Sequence, residues 1–532
     1  MITKYLNKIY FLLGIIFFFS ACTDDLNVIP KDDDEFLSEE FYADATAYKQ
    51  ALAGVYGNLS ITGPNGAGDS NLSGIDAGTS QYGRMIWYLQ EFPTDEVIWS
   101  YENDPGPKEV QRNIWTPSNV FFRGAYGRIM FSVALANDFL RESTPEKLEE
   151  RGHTSAVGSE IAAYRAEARL LRSLAYYHLM DLFGKAAFVT EADPVGTYQA
   201  PQYERAQLFE FIESELLAID GDLVASKANE YARADKAVAW MILAKMYLNA
   251  EVYVGTDRYA DCITQCDKII GGGFSLASDW SLNFMADNHS NEAGLNEIIF
   301  PLISDGVVTQ NYGPTTTIIN GEVGSIEANA EELGAQGWGG ALRVRKQFAE
   351  KFLNDNTTSN DDRNTLISEG REIDIVDVAD RDSGYIITKF TNRTSTGAAG
   401  ADPTFVDTDF PLFRLGDVYL MYAEAFVRGG GGSESQAVGY INDLRDRVSA
   451  DQISANDLTL DFLIDERSRE LHWESHRRQD LIRFGLFTGG NYNWAWKGNG
   501  ANGIAIGNHM AVFPLPSESL AANPNLTQNA GY

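Results

Sequence analysis

Apolar positions recur at helical spacing in two stretches of the chain and lose that order elsewhere. In the first, Tyr164, Ala168, Leu171, Ala175 and Leu182 fall on one side of a helix that Ser159 can cap and Gly184 can end. Asp235 can cap the next, "KAVAWMILAKMYLNA", where Ala237, Met241, Ala244 and Leu248 make one stripe and Trp240, Leu243 and Tyr247 a second. A helix apolar on two sides packs between neighbours. Its expected partner is "RYADCITQCDKII", stopped by Gly271, Gly272 and Gly273. In the second stretch, Leu415, Val418, Tyr419, Tyr422 and Phe426 keep helical spacing up to "GGGG" at 429–432. "SQAVGYINDLRDRV" then supplies Val438, Ile441, Leu444 and Val448.

Helix pairs with Ala or Gly near the crossing look like tetratricopeptide-type hairpins, here without a strict repeat period. The pattern predicts an all-α fold: an irregular superhelical scaffold of such hairpins, with long loop-rich insertions carrying the ligand site. Residues 60–118 and 274–412 are those insertions, rich in Gly, Asn, Asp and Thr and weak in periodicity. Loops of that length in a compact protein are usually functional or disordered. Tyr88, Trp99, Tyr101, Tyr312 and Trp338 within them argue against disorder. The expected organisation is a signal peptide at 1–21, an acidic tether at 22–37 and a helical region at 38–273 holding the 60–118 loop. A second region follows at 274–532, holding the 274–412 insertion and helical hairpins at 413–484.

Length and charge narrow the options. At 532 residues the chain exceeds one minimal core, and 44% hydrophobic with 22% charged content is that of a globular protein. The net charge of −33 becomes −35 once Lys4 and Lys8 leave with residues 1–21. Such a surface repels phosphate backbones, which argues against nucleic acid as a partner. The leader runs apolar from Ile9 to Phe19, broken only by Gly14, a secretory length too short to span a bilayer. Ser20 and Ala21 before Cys22 resemble a bacterial lipobox, with Cys22 acylated and the membrane reached through that lipid anchor. Each buried acyl methylene adds about 0.8 kcal/mol. Cys262 and Cys266 stand at i, i+4, where helical Cβ atoms lie roughly 5–6 Å apart. An unstrained disulfide needs about 3.5–4.5 Å, so both are expected as small buried hydrophobes.

Catalytic chemistry finds no foothold. "HWESH" at 472–476 puts two His four apart, but Glu474 is two residues from the first and turned away from a metal-bound water. The surrounding "DERSRELHWESHRRQDLIRFG" reads as a structural ion-pair network on two short helices. With 75 Asp and Glu, some pair satisfies any glycosidase spacing, so spacing tests nothing. Asp287, Asn291 and Glu292 in "FMADNHSNE" could serve a structural Ca²⁺, though a polar loop needs none. The aromatics are more informative. In "TDEVIWSYENDPG", Trp99 and Tyr101 sit two apart, so an extended backbone points both rings one way, next to a turn. Sugar rings lie flat on Trp or Tyr faces while their hydroxyls reach sideways to polar partners.

Several passages carry a family resemblance across nearly the whole mature chain. They are "YRAEARLLRSLAYYHLMDLFG", "ARADKAVAWMILAKMYLNA", "FPLFRLGDVYLMYAEA", "INDLRDRV", "ERSRELHWESHRRQDLIRFG" and the ending "FPLPSESLAANPNLTQNAGY". Together they resemble the SusD/RagB family of outer-membrane glycan-binding lipoproteins, with His476 standing where the family has Gly. The resemblance implies a tetratricopeptide-like helical fold, no catalysis, an outer-membrane place facing the cell surface, and a SusC-like TonB-dependent transporter as partner. "RMIWYLQEFPTDEVIWSYEN", "FMADN", "NYGPTT", "GWGG" and "NYNWAWKGNGANG" are similar to the starch-binding type of that family. In that type an arc of two Trp and a Tyr cradles α-glucan, with an Arg and an Asn on adjacent hydroxyls. The carry-over places the Arg at Arg84, the amide at Asn103, one ring at Trp99 or Tyr101, and the others at Tyr312 and Trp338. Three readings follow: a lipoprotein capturing starch-like α-glucan for the transporter, the same role with another glycan or peptide, and a surface glycoside hydrolase.

Overall fold

The Asn119 side chain opens the first long helix, Val120–Glu142, by accepting the Phe121 N–H. The computed structural model describes residues 38–324, 329–355 and 360–532, so the expected signal peptide, the tether and Cys22 lie outside them. The second long helix, Ser155–Phe183, ends at Gly184 as expected, in the left-handed region at φ 70°. Its cap is Thr154 and not Ser159. Residues 155–160 are exposed or half-buried, so the first turn carries no apolar stripe to announce itself. Ser159 instead returns its hydroxyl to the Ser155 carbonyl.

Each helix then packs on the next. Val120–Glu142 lies on Ser155–Phe183, which lies on Arg205–Ile219; Lys236–Leu248 lies on Tyr259–Ile270, which lies on Leu415–Val427. That helix in turn contacts Glu434–Asp446 and Leu460–Leu471. Asp235 caps Lys236–Leu248 as its sequence predicts, accepting the Ala237 N–H at 2.8 Å. From Ala237 to Leu248 every residue but Trp240 is buried, the signature of a helix enclosed on all sides. Cys262 and Cys266 are free and fully buried, and burial pushes the Cys266 thiol up, away from reactivity. The architecture is therefore helical hairpins in series, with Tyr48–Tyr532 forming one unit. The chain up to Ala47 is a separate unit whose described part carries the short helix Ser38–Phe41.

Strands are confined to four two-stranded antiparallel ribbons among the described residues. Two of them tie the loop-rich segments down. Val97–Trp99 pairs with Leu342–Val344, placing Trp99 opposite Leu342, and Ile298–Leu302 pairs with Phe410–Arg414. The 60–118 segment is also less loop-like than its sequence implies, because Tyr82–Glu91 is a helix buried everywhere except Arg84. Gln90 and Glu91 are buried with its apolar residues, so its polar positions do not mark a solvent face.

The charge-rich stretch forms two short helices, Leu460–Leu471 and Arg477–Arg483, and its charges are buried and paired. Arg363 bonds Asp361, Glu466 and Glu470 at 2.7–2.9 Å, with all four side chains fully buried. Arg414 bonds Glu474, Glu470 and Glu297 at 2.6–3.0 Å. Between the helices, Trp473 and Ser475 take φ of 61° and 68°, so His472 and His476 do not share a helix face. His472 Nδ1 meets the Arg469 carbonyl and His476 Nδ1 meets Lys245 Nζ, while Glu474 is spent on Arg414 and Lys389. Burial drives both imidazoles well below their ordinary range. The tail is held by its amides: Gln528 gives and accepts at the Leu515 backbone, and Asn529 donates to the Phe183 and Phe513 carbonyls.

Candidate functional site

The Val97–Trp99 ribbon brings the two loop-rich segments together at one place. Gln111 closes the outer edge of Trp99, its side chain accepting the Trp99 N–H at 2.7 Å and donating to the Trp99 carbonyl at 3.0 Å. One residue on, the Ser100 N–H donates to the Ala341 carbonyl, and the chain bends outward at Tyr101. Opposite stands "QGWGG". Gly337, Gly339 and Gly340 take φ of 83°, 68° and 69°. A Cβ on Gly337 would come within 2.3 Å of Val323, so this bend requires glycine. Trp338 is fixed by its N–H, which donates to the Asn320 carbonyl at 2.7 Å.

Three of the predicted rings meet here. The Trp99 ring lies 5.7 Å from Tyr101 and 6.2 Å from Trp338, edge to face in both pairs. The Tyr101 hydroxyl donates to the Trp338 carbonyl at 2.6 Å. Their exposures differ, and the difference corrects an expectation. Trp99 is 4% exposed and is not an uncovered ring, because its strand is buried on both faces. Tyr101 is 37% exposed and Trp338 is half-buried. Trp99 thus backs the other two, which present their surfaces.

Arg84 joins from the buried helix. Its Nε donates to the Tyr88 hydroxyl at 2.9 Å and its guanidinium lies 5.0 Å from that ring's centroid. Tyr88 stacks on Phe92 and Phe121 and tilts against Trp99 at 6.4 Å, so rings connect Arg84 to Tyr101 and Trp338. Burial raises the Tyr88 phenol, which Arg84 only partly offsets, and the group stays neutral. Asn103 is exposed in the turn two residues past Tyr101. Tyr312 is half-buried with its ring edge on Phe405 at 5.2 Å. Its link to Trp338 runs through residues 403–405, whose carbonyls accept from Gln336 and from the Asn320 side chain.

Beneath the strand lie two buried carboxyls, Glu91 and Glu96. Glu91 accepts the Ser475 and His476 N–H groups, and Glu96 accepts the Ser468 hydroxyl and the Trp473 N–H. Burial raises both, Glu96 to about 7; the Glu96 charge raises Glu91 further, and on Glu96 the Arg477 guanidinium offsets part of the raise while Asp95 adds to it. Burial works against Asp95 too, but Arg477 and Lys351 hold it well below the carboxylate range.

The calcium candidates do not form a shared cradle. Asp287 accepts the Ser395 N–H and hydroxyl, Asn291 caps a short helix through the Ala293 and Gly294 N–H groups, and Glu292 accepts from Ser278. Their oxygens serve turn and cap donors. Among the described residues, no group of three or more His, Cys, Asp or Glu is placed to hold a metal ion. One contact at the site had no sequence signal. Arg381 Nη1 donates to the Tyr101 hydroxyl at 3.2 Å and to the Gly339 carbonyl at 2.9 Å. A single Arg in "DVADRDSG" announces no such role.

Comparison with known proteins agrees with this architecture. A model of the SusD family matches residues 308–532. The starch-binding protein SusD of Bacteroides thetaiotaomicron is 31% identical over 576 aligned residues covering 100% of both chains. The SusD-like protein P25 of Formosa agariphila is 26% identical over 69% of this chain and 73% of its own. Among solved structures, a SusD homolog from Bacteroides thetaiotaomicron superposes with a TM-score of 0.70 at 18% identity, covering 93% of this chain and 98% of that one. Surface glycan-binding protein A from the same organism, in complex with laminarihexaose, gives 0.66 at 20% identity over 91% and 99%. End-to-end identity with SusD, on a shared helical scaffold, means that the chain belongs to the SusD family.

Proposed function

We propose that the protein is a non-catalytic glycan-binding protein of the cell surface. It captures a starch-like α-glucan, a maltooligosaccharide, and delivers it to a SusC-like TonB-dependent transporter of the outer membrane. Acylation at Cys22 would hold it there. One observation carries the reading: rings from segments far apart in sequence converge, with the Tyr101 hydroxyl on the Trp338 carbonyl and Trp99 packed against both. Full-length identity to a starch-binding relative supports the choice of glycan. Arg84 and Asn103 stand near the rings as donors for sugar hydroxyls, the arrangement that flat saccharide faces need.

The site divides the labour of the expected arc. Tyr101 and Trp338 present surface, Trp99 supports them, and half-buried Tyr312 rests its ring edge on Phe405. The burial of Trp99, where the arc has an open ring, favours a second reading, the same role with a different glycan or a peptide. Affinity electrophoresis through gels containing starch decides between the two. Retention of the wild-type chain, lost in Trp338→Ala, is the expected result; unretarded migration of the wild type would remove starch as the cargo.

A further inference from the structure

Arg381 touches the presented aromatic surface without being one of its rings. It arrives from a third segment, the turn at 377–384, and reaches both halves of the platform through one nitrogen. Nη1 donates to the Tyr101 hydroxyl at 3.2 Å and to the Gly339 carbonyl at 2.9 Å, and the guanidinium carbon stands 5.8 Å from the Tyr101 centroid. The Tyr101 hydroxyl therefore carries two bonds, donating to the Trp338 carbonyl at 2.6 Å and accepting from Arg381. That fills the phenol's one donor and one of its acceptor positions.

The loop being held needs an outside support. Gly337, Gly339 and Gly340 all lie in the left-handed region, and glycine has the largest backbone freedom to lose on ordering. Its own bonds leave from Gly337, Trp338 and Gly340, through their N–H groups to Asn320 and Val323. The Gly339 carbonyl is tied by Arg381. A Cβ at Gly339 would meet Arg381 Nη1 at 2.5 Å, so the glycine is what lets the guanidinium approach. The position of Arg381 is itself set from below. Arg371 Nη2 donates to its carbonyl, and neighbouring Asp380 and Ser383 carbonyls accept from buried Arg343.

We propose that Arg381 is a positioning residue that locks Tyr101 and Trp338 into one rigid stacking surface. It acts through the Tyr101 hydroxyl and the Gly339 carbonyl and not by contacting the ligand. The binding consequence rests on the glycan reading above, whereas the bracing itself does not. Pre-ordering a surface raises affinity by removing the ordering cost from the binding step.

The experiment has a ligand-free arm and a ligand arm. Hydrogen exchange over residues 336–341 is followed by mass spectrometry in the wild type, Arg381→Met and Arg381→Lys. Faster exchange in Arg381→Met, partly restored in Arg381→Lys, is expected, since an ammonium keeps the charge and donors on a shorter stem. Exchange unchanged in Arg381→Met overturns the proposal. Binding of maltoheptaose is then measured for Arg381→Met, Tyr101→Phe and the double variant. Arg381→Met alone should weaken it roughly ten-fold, the scale of one or two lost hydrogen bonds. In the Tyr101→Phe background it should add less than it costs alone, since only the Gly339 carbonyl bond is left to lose. Full additivity would mean a direct ligand contact and overturn the positioning role. If the wild type binds no maltoheptaose while exchange responds as expected, the bracing stands and the choice of glycan falls.

Discussion

At the residue scale, Trp99 and Trp338 illustrate two uses of the same side chain. Trp338 is half-buried on a glycine-rich bend, and stacking on such a ring is worth on the order of 1–3 kcal/mol in the nucleic-acid analogue. Trp338→Ala should weaken α-glucan binding by about ten-fold or more and leave the thermal midpoint nearly unchanged. Trp99 is buried under both neighbours. Trp99→Ala should cost about 3–5 kcal/mol of stability, as large core truncations do, and lower the melting temperature before any binding question arises. Calorimetry on both variants separates the roles; equal midpoints would mean that Trp99 is no core residue. The sequence placed both Trp99 and Tyr101 at the site but left open which one meets the ligand. Alternation puts both rings on one side of an extended segment, but the strand ends at Trp99 with both its faces buried and the chain leaves it at Tyr101, which the local pattern does not announce. Arg381 was invisible because its partners are a hydroxyl and a carbonyl from two distant segments.

At the scale of elements, legibility followed period and length. The helices at 236–248, 259–270, 415–427 and 434–446 were readable, because a stripe sustained over three turns has few alternatives. The ribbons, two to five residues a strand, carry too little pattern to read. The helix at 82–91 buries Gln90 and Glu91 along with its apolar residues, so its polar positions do not mark a solvent side. The charged pair at 460–483 was legible as an ion-pair network, though its partners Asp95, Arg363 and Arg414, and their own partners Asp361 and Glu297, lie elsewhere in sequence. Such a network holds only while complete. Arg414→Met strips a cation from buried Glu297, Glu470 and Glu474 at once, and should destabilise by about 3–5 kcal/mol in urea titrations at neutral pH. The cap is a smaller test: Thr154→Ala should cost about 1 kcal/mol, whereas Ser159→Ala, outside the cap, should be nearly neutral.

At the scale of the whole molecule, the buried titratable groups fall into opposing sets, and their sum predicts the pH profile. Burial raises Glu91, Glu96, Glu322 and Asp409, the second and last to about 7. For these the folded state holds protons that the unfolded chain releases near pH 4. Their contribution is complete below that and is lost as pH climbs, through about 7 for Glu96 and Asp409. Burial pulls His178 to about 3, and His472 and His476 well below the imidazole range. These contribute above pH 6.5 and lose it as pH falls. Between about pH 5 and 6.5 the two sets act in opposite directions, so stability should be nearly flat. Above 6.5 the histidines are neutral in both states and the carboxyls still titrate, so stability should fall, until Lys389 and Lys497, pulled down to about 8 by burial, shed protons in the folded state near pH 8 and act the other way. Below pH 4 it should fall again, as Glu470 and Asp480, held at about 2 by arginines against burial, take up protons. Asp409 offers the cleanest single test, since its oxygens accept only from the Ser304 N–H and the Tyr231 hydroxyl, and an amide keeps that shape. Asp409→Asn should make the decline between pH 7 and 8 shallower, by at most about 1.4 kcal/mol per pH unit for the one proton removed. Urea titrations at several pH values read that slope directly. A slope identical to the wild type would mean that Asp409 is already ionised at neutral pH and that the alkaline loss belongs to Glu91, Glu96 and Glu322.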